Sequence, residues 1–238
     1  MSMVSPFFRD EAQRQLFRNP QYQYMDVHKR APSANTAALF LHQIISSPTR
    51  LAAMVRGYKI TVSWHDTRRI ESEARERQST SFARLRAALP LMVNLKELQY
   101  HTNSDSLAPP APICSILLQC TFELDVFCFV FVGTEDRALL PELLKCQHYL
   151  HELWISEKRL NNTRESPADL LPPELVHSLC PMLEHLGGDT KVVATMMQGR
   201  KNIRYLSWDA DLEHHFCAFG HAGLLSRPNV DEGGSIRA

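Results

Sequence analysis

One short apolar phrase recurs along the second half of the chain. It is a leucine or isoleucine, an apolar residue three positions on, and another two positions beyond that. Leu95, Leu98 and Tyr100 form it first, followed by Leu124, Phe127 and Phe129, then Leu150, Leu153 and Ile155. Leu183, Leu186 and Gly188 make a weaker instance, and Ile203, Leu206 and Trp208 the last. A step of two keeps side chains on one face of a strand, so positions 98 and 100 point the same way, as do 153 and 155. The residue three earlier sits where the chain bends into the strand and packs beneath its neighbours. Each phrase follows a helix-compatible stretch: SFARLRAAL, ICSILLQC, DRALLPELLKC, PPELVHSLC and KVVATMMQ. Strand, return helix and strand in register predict parallel strands with helices on the outside. No single unit can bury its own apolar face, so neighbouring units must stack.

The central positions 98, 127, 153, 186 and 206 are separated by 29, 26, 33 and 20 residues. Those steps bracket the period of about 20–29 residues found in leucine-rich repeats, with one longer unit. The predicted fold is therefore α/β: an irregular leucine-rich-repeat-like solenoid of parallel strands and outer helices over residues 91–212. A helical flank precedes it at 33–90. There Ser33 or Asn35 caps a helix with apolar positions Leu39, Leu41, Ile44 and Ile45, which Pro48 should end. Tyr58, Ile60, Val62 and Trp64 alternate as in a strand. Residues 66–89 read as a second helix, capped by Asp66 or Thr67. It carries Glu71–Arg75 and Glu73–Arg77 at i,i+4 spacing and an apolar second half at Phe82, Leu85, Ala88 and Leu89. Residues 1–32 are polar without a clear period and are expected to be poorly ordered, and the tail 213–238 to be loosely held. The Pro-rich 103–112 and the polar 156–173 read as surface loops.

Charge and composition narrow the function. Lys plus Arg number 26 and Asp plus Glu 26, so the formal net charge is zero. A balanced chain has no global field for phosphate backbones or anionic lipid, and no nucleic-acid partner is expected. The arginines of residues 68–77 are nearly cancelled by glutamates, as on a solvated helix face. No stretch reaches the roughly 20 apolar residues of a spanning helix. The first residues lack the basic start and apolar run of a signal peptide, so a cytoplasmic or nuclear location is expected. The six cysteines contain no Cys-x-x-Cys pair and read as small buried hydrophobes of a reducing compartment. Phosphate-cradling glycine loops, a Gly-x-Ser-x-Gly elbow and His-Glu-x-x-His are all missing from the sequence, so no catalytic or cofactor residues are assigned. Two His/Cys groupings, Cys146/His148/His151 and His214/His215/Cys217, keep a metal-binding alternative open, though neither has a second ligand cluster at metal-site spacing.

The stretches FLHQIISSPTRLAAMVRGYKITV, LMVNLKELQY, LLKCQHYLHELWI and LCPMLEHLGG resemble fungal F-box-associated leucine-rich-repeat proteins of the basidiomycete group, over about residues 35–210. Leu95, Leu98, Tyr100 and Asn103 fit the Leu-x-x-Leu-x-Leu-x-x-Asn frame; the other units place Val132, Lys158, Lys191 and Asp211 where that Asn belongs. The resemblance implies a non-enzymatic adaptor that presents substrates to ubiquitin-ligase subunits. The F-box itself is missing ahead of Ser33, and LPPELVHSL at 171–179 reads as a repeat helix opened by its prolines. A free-standing repeat scaffold outside any ubiquitin pathway is the alternative.

In the predicted register, Gln99, Glu152, Trp154, Tyr205 and Ser207 share the open side of the sheet with Val126, Cys128 and Val130. They are the candidate contacts for a protein partner. A solvent-facing Trp154 would be a binding hot spot; the alternative is a Trp154 covered by a loop or by the tail. The apolar Val126, Cys128 and Val130 require either a partner or residues 33–66 folded over them.

Overall fold

The structure, a computed structural model, describes residues 6–20, 23–26, 36–63, 72–102, 111–131, 134–157, 178–208 and 235–237. Among the described residues the apolar phrase builds the middle of one eight-stranded sheet whose strands lie in chain order. They are β1 (Gln23–Asp26), β2 (Gly57–Ser63), β3 (Glu97–Thr102), β4 (Val126–Phe131), β5 (Glu152–Glu157), β6 (His185–Gly188), β7 (Tyr205–Trp208) and β8 (Ser235–Arg237). All pairings from β1 to β7 are parallel, and β8 runs antiparallel to β7. The helices are α1 (Pro6–Arg18), α2 (Thr36–Ser46), α3 (Ser72–Ala88), α4 (Ile113–Leu117), α5 (Thr134–Lys145) and α6 (Thr190–Met197). The architecture is α/β with an open parallel sheet.

Register follows the phrase. Leu98 pairs with Phe127, Phe127 with Leu153, Leu153 with Leu186 and Leu186 with Leu206, one row across the sheet. The wedge residues Leu95, Leu124, Leu150, Leu183 and Ile203 are all buried in the same apolar core as the inward faces of the helices. Aromatic rings fill its centre: Phe129 stacks on Phe127 at 5.3 Å and on Phe131 at 5.0 Å, and Tyr100 leans on it at 5.7 Å.

The sheet extends past both expected boundaries. Tyr58 pairs with Leu98 and Ile60 with Tyr100, and Val55 is a buried wedge three residues before Tyr58, so β2 is a full layer and not part of a flank. Its phrase is hidden in the sequence because Val replaces Leu and a single π-helical turn, Pro48–Ala52, precedes it. Residues 6–18 form α1 and 23–26 form β1 ahead of it, where poor order was expected; the inward positions of β1 are Gln23 and Met25, and the polar one breaks the apolar step of two. At the other end β8 pairs with β7 inside the tail expected to be loose. Pro48 ends α2 as expected, but Leu39 is exposed and Ala37, Ala38, Leu41 and Ile44 form its buried face. The inward half of α3 is as expected. Asp66, Thr67, Trp64, the Glu71–Arg75 and Glu73–Arg77 side chains and the long loops lie outside what is described.

Successive layers are tied by a repeating backbone device. The Arg56 carbonyl accepts from the N–H groups of Lys96 at 2.7 Å and Glu97 at 2.9 Å. Lys96, Asp125, His151 and Glu184 each repeat this toward the next layer. A carbonyl has two lone pairs, and a chain turning into a strand offers two adjacent donors. Asparagine supports the turns as well, at a place other than the repeat frame implies. Asn94 Nδ2 donates to the Ala53 carbonyl at 2.8 Å, and Asn202 Nδ2 to those of Pro181 and Leu183 at 3.0 and 2.7 Å. Both precede their layer's central leucine by four residues, at the start of the strand. Of the frame positions themselves, only Lys191 is described, and it lies in α6.

Between α4 and α5 a buried carboxylate ties the two helices. Asp136 Oδ1 accepts the Cys114 N–H at 2.7 Å. Burial pushes its pKa above the ordinary 3.8, and the hydrogen bonds from Cys114 and Ile113 pull back only part of that. A carboxyl raised in the native state binds its proton more tightly there than in the unfolded chain. Its stabilising contribution is therefore present at acid pH and lost as pH rises through the native value. Asp136→Asn keeps an acceptor and removes the charge. Its stability relative to the wild type is expected to improve between pH 4 and pH 7, read from urea midpoints; an unchanged difference would refute the assignment.

Candidate functional site

Alternation along the strands that face helices inward leaves the other side chains on the opposite surface. Three rows result. Across the starts of the strands run Glu97, Val126, Glu152, His185 and Tyr205; next come Lys59, Gln99, Cys128, Trp154, Gly187 and Ser207; then Thr61, His101, Val130 and Ser156. All five expected contacts, Gln99, Glu152, Trp154, Tyr205 and Ser207, thus stand on one face, as do Val126, Cys128 and Val130. Cys128, Val130 and Trp154 are outside the apolar core cluster, as that placement requires.

Accessibility divides this face. Trp154 is only 6% exposed and Gln99 5%, so neither is a solvent-facing anchor. Trp154 is laid down by its neighbour in β6: a Cβ on Gly187 would overlap the six-membered part of the indole. Of the two readings the sequence allowed for Trp154, the solvent-facing one fails. Residues 36–63 do not fold over the face, because β2 is itself part of the sheet. What stays reachable is the row at the strand starts, where Glu97, Val126, Glu152, His185 and Tyr205 are all half-buried, with Ser207, Lys59 and His101 beyond it.

Within that row three side chains touch across three strands. Glu152 Oε1 lies 3.7 Å from His185 Nδ1. The His185 ring meets the Tyr205 ring at 4.4 Å, tilted by 48°. His185 was missed by sequence reasoning, although it precedes Leu186 as Glu152 precedes Leu153 and Tyr205 precedes Leu206. Its layer ends in Gly187–Gly188, and that weak phrase hid the position. Glu97, before Leu98, was missed by the same offset.

Other chemistry on the face is quiet. Cys128 Sγ is 3.8 Å from His101 Nε2, but burial pushes the thiol's pKa up, with Lys59 opposing only in part. A buried neutral thiol is a poor nucleophile. Cys114, Cys120 and Cys180 are likewise raised by burial, the last two to about 12. No group of three or more His, Cys, Asp or Glu is gathered for a metal among the described residues. Cys146 and His148 sit in the turn after α5 and His151 at the approach to β5; His214, His215 and Cys217 lie outside what is described. No helix among the described residues is long and apolar enough to cross a membrane. At the far end of the strands, Asp189 accepts the Glu157 N–H at 2.8 Å and the Ser156 hydroxyl at 3.3 Å, while Arg137 pairs with Glu157 at 2.5 Å. These contacts hold β5 to β6 and α5.

Compared with family models, curated proteins and solved structures, the chain finds no match in any of them.

Proposed function

We propose that this chain is a leucine-rich-repeat-like array acting as a non-enzymatic module that binds a protein partner along the strand-start row of its open face. The carrying observation is the joined Glu152–His185–Tyr205 row, half-buried and aligned across β5, β6 and β7. A carboxylate, an imidazole and a phenol side by side offer donors, acceptors and aromatic area on one sheet face, and tyrosine is among the residues enriched at interfaces. In-register layers and the shared wedge support the repeat reading. Substrate recognition for a ubiquitin ligase, which the resemblance implies, is one form of this function.

Glu152→Ala/Tyr205→Ala is the direct test. Affinity capture with quantitative mass spectrometry is expected to lose the wild-type partner set about tenfold or more, at an unchanged melting temperature. Recovery of the same partners by both proteins would remove the row from consideration. Capture that never yields the ligase's F-box-binding adaptor would remove the ligase form and leave the scaffold.

A further inference from the structure

Glu97 and Glu152 open β3 and β5, and Val126 of β4 stands between them in the register. Among the described residues no Lys or Arg, Lys59 of the next row included, forms an ion pair with either carboxylate, and Glu152 is met only by His185. The cations immediately ahead of the strands are already engaged. Lys96 Nζ donates to the Glu123 carbonyl at 3.0 Å and lies 3.6 Å from Asp125. Arg204 pairs with Glu184 at 3.7 Å, and Arg56 donates to the Asn94 carbonyl at 3.3 Å.

A second, independent observation lies beside Glu97. Gln99 follows it by two residues in β3, on the same face, and is 5% exposed. Among the described residues none hydrogen-bonds its side-chain amide. Buried amides are ordinarily satisfied, and this one carries an acceptor and two donors, the complement of a peptide group.

We propose that the partner docked on this row is an arginine-bearing extended segment of another protein, its guanidinium groups held by Glu97 and Glu152 and one of its peptide groups by the Gln99 amide. This rests on the protein-binding reading above and names the chemistry of the partner. Charge complementarity selects a cation, because the chain itself supplies none to these two carboxylates. A guanidinium meets a carboxylate with two parallel N–H donors and stacks on aromatic rings, which an ammonium does less well. His185 and Tyr205 continue the row past Glu152 as such rings. Half-buried Val126 offers apolar surface to the side-chain stems. The strands of Glu97 and Glu152 are about 10 Å apart, and alternate residues of an extended segment about 7 Å apart on one face, a difference that long arginine side chains span.

Fluorescence polarisation of labelled peptides on the full-length chain tests this. The probe is Gly-Ser-Arg-Ser-Arg-Ser-Gly, and Gln or Glu replaces both arginines in the controls. The Arg peptide is expected to bind about tenfold or more tightly than the Gln peptide, and the Glu peptide no better than the Gln one. Raising salt from about 50 to about 300 mM should weaken the Arg peptide severalfold. Glu97→Gln/Glu152→Gln should abolish the preference for arginine. Gln99→Leu should weaken the Arg peptide without changing its salt dependence. Glu142→Gln, at a carboxylate on α5 already paired with Lys145, should change nothing. An Arg peptide bound no better than the Gln peptide, or bound equally by the Glu97→Gln/Glu152→Gln variant, would overturn the arginine class. Unchanged binding by Gln99→Leu would overturn the backbone contact. The capture experiment separates this from the reading beneath it. Partners lost with Glu152→Ala/Tyr205→Ala but kept with Glu97→Gln/Glu152→Gln leave the protein-binding row standing and sink the arginine class. Partners kept by both variants remove the row and this proposal together.

Discussion

Gly188→Ala is expected to destabilise the protein by at least about 3 kcal/mol, the upper range for a backbone conformation that only glycine tolerates. Gly188 has φ +124°, and a Cβ there would overlap the carbonyl oxygen of Ile155 in the neighbouring strand. Neither atom can give way without moving backbone, because Ile155 pairs with Gly188 itself and its carbonyl also accepts the Asp189 N–H at 3.0 Å. Gly199 supplies the comparison. It too has positive φ, at 70°, but it is exposed in the turn after α6. Gly199→Ala should cost about 1 kcal/mol. Urea midpoints of the two variants decide the matter; equal losses would mean that the close approach of β5 and β6 is not what requires Gly188. At Gly187 the obstacle is the Trp154 ring, a side chain able to turn. Alanine there should act mainly by lifting Trp154 off β6.

Phe129→Ala is the second large effect, about 3–5 kcal/mol for a fully buried aromatic at the centre of the core. Phe129 is 0% exposed and contacts the rings of Tyr100, Phe127 and Phe131. Its chain neighbour Cys128 is almost as buried, at 6%, but faces the other way and lies outside the core cluster. Cys128→Ala should cost about 1 kcal/mol, near the average for point mutants. The contrast tests parity directly. A slip of one residue in β4 would exchange the two faces and reverse the order of the two losses. Chemical denaturation of both variants, with equal m-values, is the measurement.

The open face shows where local pattern stops being informative. Period-two alternation was enough to put Gln99, Glu152, Trp154, Tyr205 and Ser207 on one side. It carried no information about which of them solvent reaches. The Trp154 ring occupies space that a side chain at Gly187, beside it in the next strand, would fill, and that adjacency joins positions 33 apart in the chain. The Glu152–His185–Tyr205 contact depends likewise on three strands lying in one register.

The repeated phrase by itself determined the class of the protein: parallel strands in chain order, helices on one side, Leu98, Phe127, Leu153, Leu186 and Leu206 in one row. That much is local, since a step of two sets the face and a wedge three residues earlier sets the bend. Tertiary structure alone decided where the array starts and stops, because β1 places polar Gln23 beside Met25 at its inward positions, β8 has three residues, and both are defined only by the strand they pair with. It alone decided which open-face groups remain reachable and where the asparagines work, because burial and hydrogen bonding are properties of neighbours brought together across layers.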